Sequence, residues 1–348
     1  MKVVINRNYK NMSFGKNNIL INCPTINSYN NKHRKTLGGI ESLVLSLADE
    51  LSKRKFNITL SSSCKKTFIK NNILYVPIDK IKKNPQKFIF NSIISTNDAT
   101  IFNDFKENQN KIIWLHNKLQ IEKSIRKKQF YSIIRNNLKA VFVSNYLNKL
   151  TSNLYFFKKR LVINNFLLPI FKIKKIQDKR RPIFVWSVQR DKGLNEVINM
   201  WINDIYENSK HARFYIFGIN KLTRNYNEKY LNSKNIFFKG RVEKKKLIET
   251  YSKSMGMICL GYDETFCLNA LEANACGLPI ITLGKTALND YVINKYNGFV
   301  VNKISEIGSK VQYLINLKSR KKIIYNSISY SKKFHLETVI YNWLKLLK

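Results

Sequence analysis

The chain has 348 residues, of which 44% are hydrophobic and 12% aromatic, so it can build two domains with packed interiors, and disorder is excluded. Its 62 basic residues against 22 acidic ones give a formal net charge of +40, which predicts attraction to nucleic acid or to an anionic lipid surface. The sequence has no apolar run of ~18 residues that would span a membrane, and its first residues lack the pattern of a signal peptide. We therefore expect a cytoplasmic protein.

Short β-branched and aromatic runs alternate with helical patterns along the chain, which predicts stacked βαβ units with parallel sheets. The strands predicted in the first half are 18–23, 57–61, 73–77, 88–95, 111–115, 140–144 and 161–164. Those predicted in the second half are 183–187, 213–218, 236–239, 256–260, 279–282 and 298–301. The predicted helices are 39–53, 117–136, 194–203, 244–252, 266–276, 304–317 and a terminal one over 330–348.

Pro169 and Pro182 bracket a polar, basic stretch without a strand pattern, which is typical of an interdomain linker. Each half is predicted to be a doubly wound sheet, and ligands of such folds bind outside the carboxyl ends of the strands. Two such domains facing each other would share a cleft. The predicted division is an amino-terminal domain over 1–170, a linker over 171–181, a second domain over 182–327, and a terminal helix over 328–348.

The most informative stretch runs from Asp263 to Pro279, between two predicted strands. An Ala/Leu-rich helix begins near Phe266, Cys267 and Leu268, where the unpaired N–H groups of a first turn suit a diphosphate. Glu264 precedes this helix tip, and Glu272 lies eight residues on, roughly 9–12 Å further along a helix. A carboxylate at each end can accept hydrogen bonds from the hydroxyls of a sugar and of a ribose.

This segment resembles the GT-B glycosyltransferases of family 4, whose hallmark is two glutamates separated by seven residues. The run LEANACGLPIIT, over 271–282, is similar to the family's LEAMACGxPVV segment. The resemblance implies two facing Rossmann-like α/β domains with an interdomain cleft, and retaining transfer from a nucleoside diphosphate sugar. It also implies that 1–170 is the acceptor-side domain, that 182–327 binds the nucleotide sugar, and that the helix over 328–348 crosses back to the amino-terminal domain. The family usually has Gly or Ser in the place of Cys267, so this thiol would narrow the space near the phosphates. A βαβ crossover with a surface glutamate is the alternative interpretation.

Upstream, FVWSVQRDKGLNEVINMW is similar to the family's strand and Lys-Gly loop. The resemblance implies that Lys192 reaches the donor diphosphate and stabilises the leaving group, while Gly193 lets the backbone turn. The arginine that the family often has five residues earlier is Ser187 here. Arg190 is the nearest substitute, unless it is a solvated surface arginine.

Gly38 and Gly39 precede an amphipathic helix, and glycine permits close approach of the backbone to a ligand. They are similar to the family's GGxE loop near the donor phosphate and the acceptor; a tight turn with a helix cap is the alternative.

His116 follows the apolar run Ile112–Leu115. The resemblance implies that it contacts the donor sugar; the alternative is a structural or merely exposed histidine. Gly218 and Arg241 lie in strand-end loops that frame the base in the resembling enzymes.

The sequence contains no Asp-x-Asp motif and no His/Cys cluster, so we expect neither a metal nor a cofactor beyond the nucleotide-sugar co-substrate. The five scattered cysteines are expected to be reduced, buried thiols. The resemblance implies a hexosyl- or related transferase that makes cell-surface polysaccharide, lipopolysaccharide or glycolipid. Its expected partners are the nucleotide-sugar donor and a glycan, glycolipid or other hydroxyl acceptor, with no specific nucleic acid.

The predicted helix 117–136 combines many cations with apolar residues. It either docks on an anionic membrane at the cytoplasmic face or packs on the core with a solvated face. Its charged and apolar members are Lys118, Lys123, Arg126, Lys127 and Lys128, and Ile121, Ile125, Phe130 and Ile133.

Two other functions stay open at the level of sequence. A GT-B-shaped nucleotide-sugar epimerase or a glycogen-type synthase would share the fold. A nucleic-acid-binding protein would explain the charge, although the sequence shows no zinc-finger spacing, basic zipper or aromatic single-strand platform.

Overall fold

The computed structural model describes residues 17–27, 37–105, 109–172, 180–189, 192–219 and 227–347. Within these ranges the chain divides into two compact units. Unit 1 contains the described residues up to Val141 together with Ser152–Leu161, and unit 2 contains Phe142–Thr151 and Val162–Leu346. Most of the predicted linker lies outside the described residues, so the linker and the predicted domain bounds stay predictions.

The first half of the chain contributes one eight-stranded sheet with helices in its connections. In sheet order its strands are β3, β4, β2, β1, β5, β6, β7 and β8; β1 pairs with β2 and β5 in parallel, whereas β3 is antiparallel to β4. The elements are β1 (Asn18–Asn27), α1 (Gly39–Lys53), β2 (Asn57–Ser63), β3 (Phe68–Lys70), β4 (Ile73–Pro77), α2 (Ile78–Lys83), β5 (Ser92–Thr96), β6 (Asn110–Leu115), α3 (Ile121–Arg126), α4 (Gln129–Arg135), β7 (Lys139–Phe142), α5 (Asn145–Leu150) and β8 (Lys159–Val162).

The second half forms a six-stranded sheet whose five pairings are all parallel. A π-helical segment, Trp201–Ile205, lies between its first two helices. The elements are β9 (Ile183–Trp186), α6 (Leu194–Met200), α7 (Tyr206–Asn208), β10 (Arg213–Phe217), α8 (Glu228–Ser233), β11 (Ile236–Gly240), α9 (Lys244–Lys253), β12 (Gly256–Ile258), α10 (Leu268–Ala275), β13 (Ile280–Leu283), β14 (Gly298–Val301), α11 (Ile307–Asn316), α12 (Lys321–Ser331) and α13 (Leu336–Leu347).

The order of the second sheet is β11-β10-β9-β12-β13-β14. The chain starts in the middle at β9, builds outward to β11, and then returns to the other side of β9 with β12. This is the doubly wound order of a Rossmann domain, and its direction reverses between β9 and β12. The predicted fold class, α/β with two Rossmann-like domains, is confirmed.

The helices follow the apolar spacing of the sequence, with informative exceptions. Helix α1 has the predicted bounds, because Leu43, Leu47 and Leu51 recur at four-residue spacing and are fully buried. The predicted helix 117–136 is instead two helices, since Lys128 adopts a left-handed conformation with φ of 58°. Among the described residues, no helix combines the length and the apolar character that crossing a membrane requires.

Other bounds also differ from the predictions. The predicted strand 88–95 begins only at Ser92, helix α10 begins at Leu268 rather than at 266, and the terminal helix begins at Leu336. Strand β3 and the helices α2, α5, α7, α8 and α12 were not predicted. The proposed return of the terminal helix to the first domain stays a prediction.

A pair of buried amides joins α10 to the loop before β14. Asn274 and Asn297 are both fully buried. Asn297 Nδ2 donates to Asn274 Oδ1 at 3.0 Å, and Asn274 Nδ2 donates to the carbonyl of Asn297 at 2.8 Å. The Asn297 side chain also binds the backbone at Tyr291 and Ile293. Unit 2 therefore depends on a satisfied polar network in its interior.

We predict that Asn274→Ala lowers the free energy of unfolding by about 2–4 kcal/mol, because it leaves buried groups of Asn297 unsatisfied. Urea unfolding followed by circular dichroism measures the change. The control is Asn316→Ala at the exposed end of α11, which should stay within about 0.5 kcal/mol of the wild type. Equal unfolding midpoints for Asn274→Ala and the wild type would contradict the structural role.

Candidate active site

The candidate site of unit 2 lies where the strand order reverses. Strands β9 and β12 are parallel neighbours, so their carboxyl ends meet at one edge of the sheet. Strand β9 leads into the loop that carries Lys192, and β12 leads into the loop that carries Glu264. In doubly wound sheets this reversal opens a crevice in which ligands bind.

The two loops touch each other. The Lys192 Nζ donates a hydrogen bond to the carbonyl of Asp263 at 3.0 Å, which places the ammonium beside the residue that precedes Glu264. Gly193 has φ of 99°, and a Cβ there would lie 2.6 Å from Leu260 Cδ1 and 3.0 Å from the ring of Tyr262. A Cβ at this position would have to displace the side chains of Leu260 and Tyr262, and the positive φ also favours glycine.

The loop that carries Glu264 is fixed from several sides. The Glu264 N–H donates to the Gly261 carbonyl at 3.2 Å and closes a turn. Tyr262 donates its hydroxyl proton to Glu196 Oε2 at 3.0 Å, which ties the loop to α6. Ser144 Oγ donates to the carbonyl of Thr265 at 2.6 Å. The Glu264 side chain, partly exposed, is thus presented by a well-connected loop.

The helix tip next to Glu264 is built differently from the prediction. Phe266 is 2% exposed, and its ring packs 5.3 Å from Tyr291, so its side chain belongs to the core. Cys267 caps α10 with φ of 65°, and the Tyr291 hydroxyl donates to its carbonyl at 2.9 Å. The helix begins at Leu268, whose N–H belongs to the first turn.

The Cys267 thiol lies inside unit 2. Its Sγ is 3.8 Å from Cys259 Sγ, and both residues are buried. The hydrogen bond with Cys259 and burial raise the pKa of Cys267 well above its usual value. The thiol therefore stays neutral and is a packing group.

Glu272 lies on α10 with only 5% of its surface exposed. Its Oε1 accepts a hydrogen bond from the Lys244 Nζ at 2.6 Å, and this ammonium also lies 4.9 Å from the centre of the Phe171 ring. Burial raises the pKa of Glu272, and the neighbouring Lys244 acts in the opposite direction. Sequence reasoning missed Lys244, because it stands in a run of three lysines that nothing local distinguishes.

The neighbouring strand ends carry two other predicted residues. Gly218 follows β10 with φ of 78° and donates its N–H to the Gly240 carbonyl at 2.8 Å. No atom of the described residues lies within 4 Å of the position of a Cβ on Gly218, so the space beside it is open. Arg241 follows Gly240 and is exposed. The two predicted residues thus lie at adjacent carboxyl ends.

Ser187, at the position where the resembling enzymes often have an arginine, takes part in the packing of unit 2. Ser187 is buried, and its Oγ lies 2.5 Å from the Tyr251 hydroxyl. The Asn269 side chain, in the first turn of α10, donates to the Ser187 carbonyl. Sequence reasoning also missed Asn269, which ties the helix tip to β9. Arg190, the predicted substitute, lies outside the described residues.

Three predicted residues lie in unit 1. Gly38 precedes α1, and its carbonyl accepts the N–H of Ser42 at 3.1 Å; Gly39 is the first residue of the helix. His116 follows β6 and is buried, with its ring 4.5 Å from that of Trp114. Burial lowers the pKa of His116 to about 3, so the imidazole is neutral at physiological pH. The predicted alternative of a merely exposed histidine is wrong.

Within the described ranges, no group of three or more His, Cys, Asp or Glu residues is arranged to hold a metal ion.

Residues 169–330 match the family Glycosyl transferases group 1. The chain is 27% identical to an uncharacterized glycosyltransferase of Methanocaldococcus jannaschii over 238 residues, which make up 66% of this chain and 65% of that protein, slightly less than two thirds of its length. The family match over 169–330 includes the loop of Lys192, the loop of Glu264 and α10.

The fold is that of solved GT-B glycosyltransferases. A glycosyltransferase from Rickettsia africae aligns with a TM-score of 0.73 at 16% identity, over 96% of this chain and 98% of that one. Anabaena HepE in complex with UDP-glucose aligns with a TM-score of 0.69 at 13% identity, over 95% and 99% of the two chains. Both similarities concern the fold.

We predict that Lys244→Met lowers the free energy of unfolding by about 1–2 kcal/mol at neutral pH. The effect is smaller than for a fully buried pair, because Lys244 is partly exposed and solvent screens its charge. Without the ammonium, the pKa of the buried Glu272 rises further. A raised carboxyl pKa means that the folded state binds the proton more tightly, so stability falls as the pH rises through that pKa. The defect should therefore be larger at about pH 8 than at about pH 5, as measured by thermal unfolding.

Lys245→Met, at the exposed neighbouring position, is the matched control and should show neither effect. Adding Glu272→Gln to Lys244→Met removes the buried charge and should abolish the pH dependence. A defect that does not depend on pH would show that the pair acts by packing alone.

Proposed function

We propose that the protein is a retaining glycosyltransferase that moves a sugar from a nucleoside diphosphate sugar to a hydroxyl acceptor. The observation that carries the proposal is the contact of Lys192 with the Asp263 carbonyl, which sets an ammonium against the loop that carries Glu264, at the reversal of the strand order. A cation, a carboxylate and a helix tip in one crevice fit the two charged phosphates and the hydroxyls of such a donor.

The diphosphate would lie between Lys192 and the first turn of α10. When the sugar departs, negative charge develops on the diphosphate oxygens. The ammonium and the N–H groups that begin at Leu268 would stabilise this charge in fixed positions. Since these groups supply positive charge, we propose that the reaction needs no metal ion.

The two glutamates would hold the ends of the donor. Glu264, in the loop before α10, would accept hydrogen bonds from the transferred sugar and stabilise the positive charge that develops at its anomeric carbon. Glu272, whose Oε1 accepts a hydrogen bond from Lys244, would accept the ribose hydroxyls. His116 would contact the sugar as a neutral imidazole, with Gly38 and Gly39 beside the phosphates and the acceptor.

The donor sugar is proposed to be a hexose, and the product to be cell-surface polysaccharide, lipopolysaccharide or glycolipid. HepE, which shares the fold, has been crystallised with UDP-glucose, so a UDP-hexose is the first donor to test. GDP- and ADP-sugars complete a thermal-shift screen, because a ligand that binds only the folded state raises its apparent stability. We propose that the enzyme works in the cytoplasm.

We predict that Lys192→Ala lowers kcat/KM by about 10²–10³-fold, since it removes a cation that stabilises the leaving group. Glu264→Gln should lower kcat to a similar degree, and Glu272→Gln should mainly raise the KM for the donor. Initial rates with varied donor concentration separate these effects. Lys303→Ala, an exposed lysine elsewhere in unit 2, is the control and should retain wild-type rates. Full activity of Lys192→Ala in a folded protein would overturn the assignment.

We predict that the product keeps the anomeric configuration of the donor and that excess EDTA leaves the initial rate unchanged. NMR spectroscopy of the anomeric proton identifies the configuration of the product during the reaction. Inversion would remove the retaining mechanism, and loss of activity that added Mg²⁺ restores would remove metal independence. Isomerised free sugar in place of a glycoside would favour the epimerase.

A further inference from the structure

We propose that one face of unit 1 docks on an anionic lipid membrane. Eleven lysines and arginines and a single acidic residue, Glu122, occur in 109–141 and 152–161, whereas the ratio in the whole chain is 62 to 22. Positive charge is thus concentrated here well beyond the general bias of the sequence. We call seven exposed cations of this region, on or beside α3 and α4 and before β8, the basic face: Lys123, Arg126, Lys127, Lys128, Arg135, Lys158 and Lys159.

Large apolar side chains stand exposed among these cations. On α3 and α4 they are Ile125, 40% exposed, Tyr131, 63% exposed, and Ile134, 41% exposed. In the segment before β8, Leu154 and Phe156 are 53% and 68% exposed. Exposed apolar side chains that are surrounded by lysine and arginine match the interface of a bilayer, where the former enter the acyl region and the latter meet lipid phosphates.

The two parts of this surface are joined by a buried tyrosine. Tyr155 lies between Leu154 and Phe156, and its hydroxyl is 2.8 Å from Ser124 Oγ on α3. Its ring also packs 5.5 Å from that of Phe130 on α4. The anchored Tyr155 therefore holds its two exposed neighbours next to both helices.

The surface differs from the one that the sequence predicted. Ile133, which the membrane interpretation of the helix 117–136 counted among its apolar residues, is fully buried, and Phe130 packs against Tyr155. Phe156 adopts a left-handed conformation with φ of 44°, which is unusual for a bulky residue. The fold thus keeps a large ring exposed in a conformation that phenylalanine disfavours.

The cations repel one another at this face. Burial, together with the nearby charges of Lys158 and Lys159, lowers the pKa of Lys139. The Lys139 Nζ donates to a neutral amide oxygen, Asn110 Oδ1, at 2.8 Å. An anionic surface would relieve this repulsion.

The side chains favour a bilayer over nucleic acid. Three of the five exposed apolar residues, Ile125, Ile134 and Leu154, are aliphatic and offer no ring on which a base could stack. Aliphatic tips gain free energy by entering the acyl region instead. The inference rests on the proposed function and extends it by naming a membrane as the place of the acceptor. Its test does not depend on catalysis.

The experiment is co-sedimentation of the full chain with vesicles of phosphatidylcholine, with or without phosphatidylglycerol. We expect salt-sensitive binding only to the anionic vesicles. Lys127→Glu with Lys158→Glu should weaken binding more than tenfold, since each cation near the surface contributes about fivefold. Leu154→Ser with Phe156→Ser should weaken binding at least about fivefold, because it removes both exposed apolar tips.

The matched controls carry equal changes elsewhere. Lys295→Glu with Lys310→Glu repeats the charge change on unit 2, and Ile69→Ser with Ile89→Ser removes two comparably exposed apolar residues of unit 1. Both controls should bind vesicles like the wild type. Equal binding to neutral vesicles, or equal losses in the controls and the variants, would overturn the proposal.

Two further readouts separate the alternatives. Three results together would identify a nucleic-acid surface instead. Duplex DNA would displace the vesicles, the charge variants would lose DNA retention, and the apolar variants would keep vesicle binding. Thermal shift by a nucleotide sugar should be unchanged in all these variants. Failure of vesicle binding with an intact donor shift would therefore sink the membrane proposal and leave the proposed function in place.

Discussion

The site depends on close contact between two loops that follow neighbouring strands. The strand order of unit 2 brings the ends of β9 and β12 side by side, but the order alone does not bring Lys192 to Asp263. Gly193 permits that, because any side chain there would collide with Leu260 or with Tyr262. A backbone constraint at one glycine thus sets the distance between the cation and the loop of Glu264.

The sequence predicted the parts of the fold that local periodicity determines. The bounds of α1, β4 and β14 agree with the predictions, since buried apolar residues or strand-forming runs end there at clear breaks. The break at Lys128 was not predictable, because an exposed lysine in a left-handed conformation has no local signal. The fold class followed from the alternation of strands and helices, which survives errors in individual bounds.

The residues of the candidate site also separate into those with a local sequence signal and those without one. Lys192 and Glu264 were recognisable because each follows a strand at a characteristic spacing. The partner of Glu272 was not, since Lys244 reaches it from a different helix and is one of many lysines. Asn269 and Tyr251, which connect to Ser187, were missed for the same reason: their partners are distant in sequence. Local patterns therefore identify groups at strand ends, and tertiary contacts decide their environment.

Cys267, which stands where the resembling enzymes usually have Gly or Ser, shows how the structure accommodates a larger residue at the helix tip. Cys267 occupies a left-handed position that glycine would adopt without strain, at a cost on the order of 1 kcal/mol. Its thiol packs against Cys259 inside the unit, and its carbonyl accepts the Tyr291 hydroxyl. These contacts offset the backbone cost and fix the residue from which α10 begins. The strained residue thus sets the direction of the helix tip, which is the geometry that binding of a diphosphate would require.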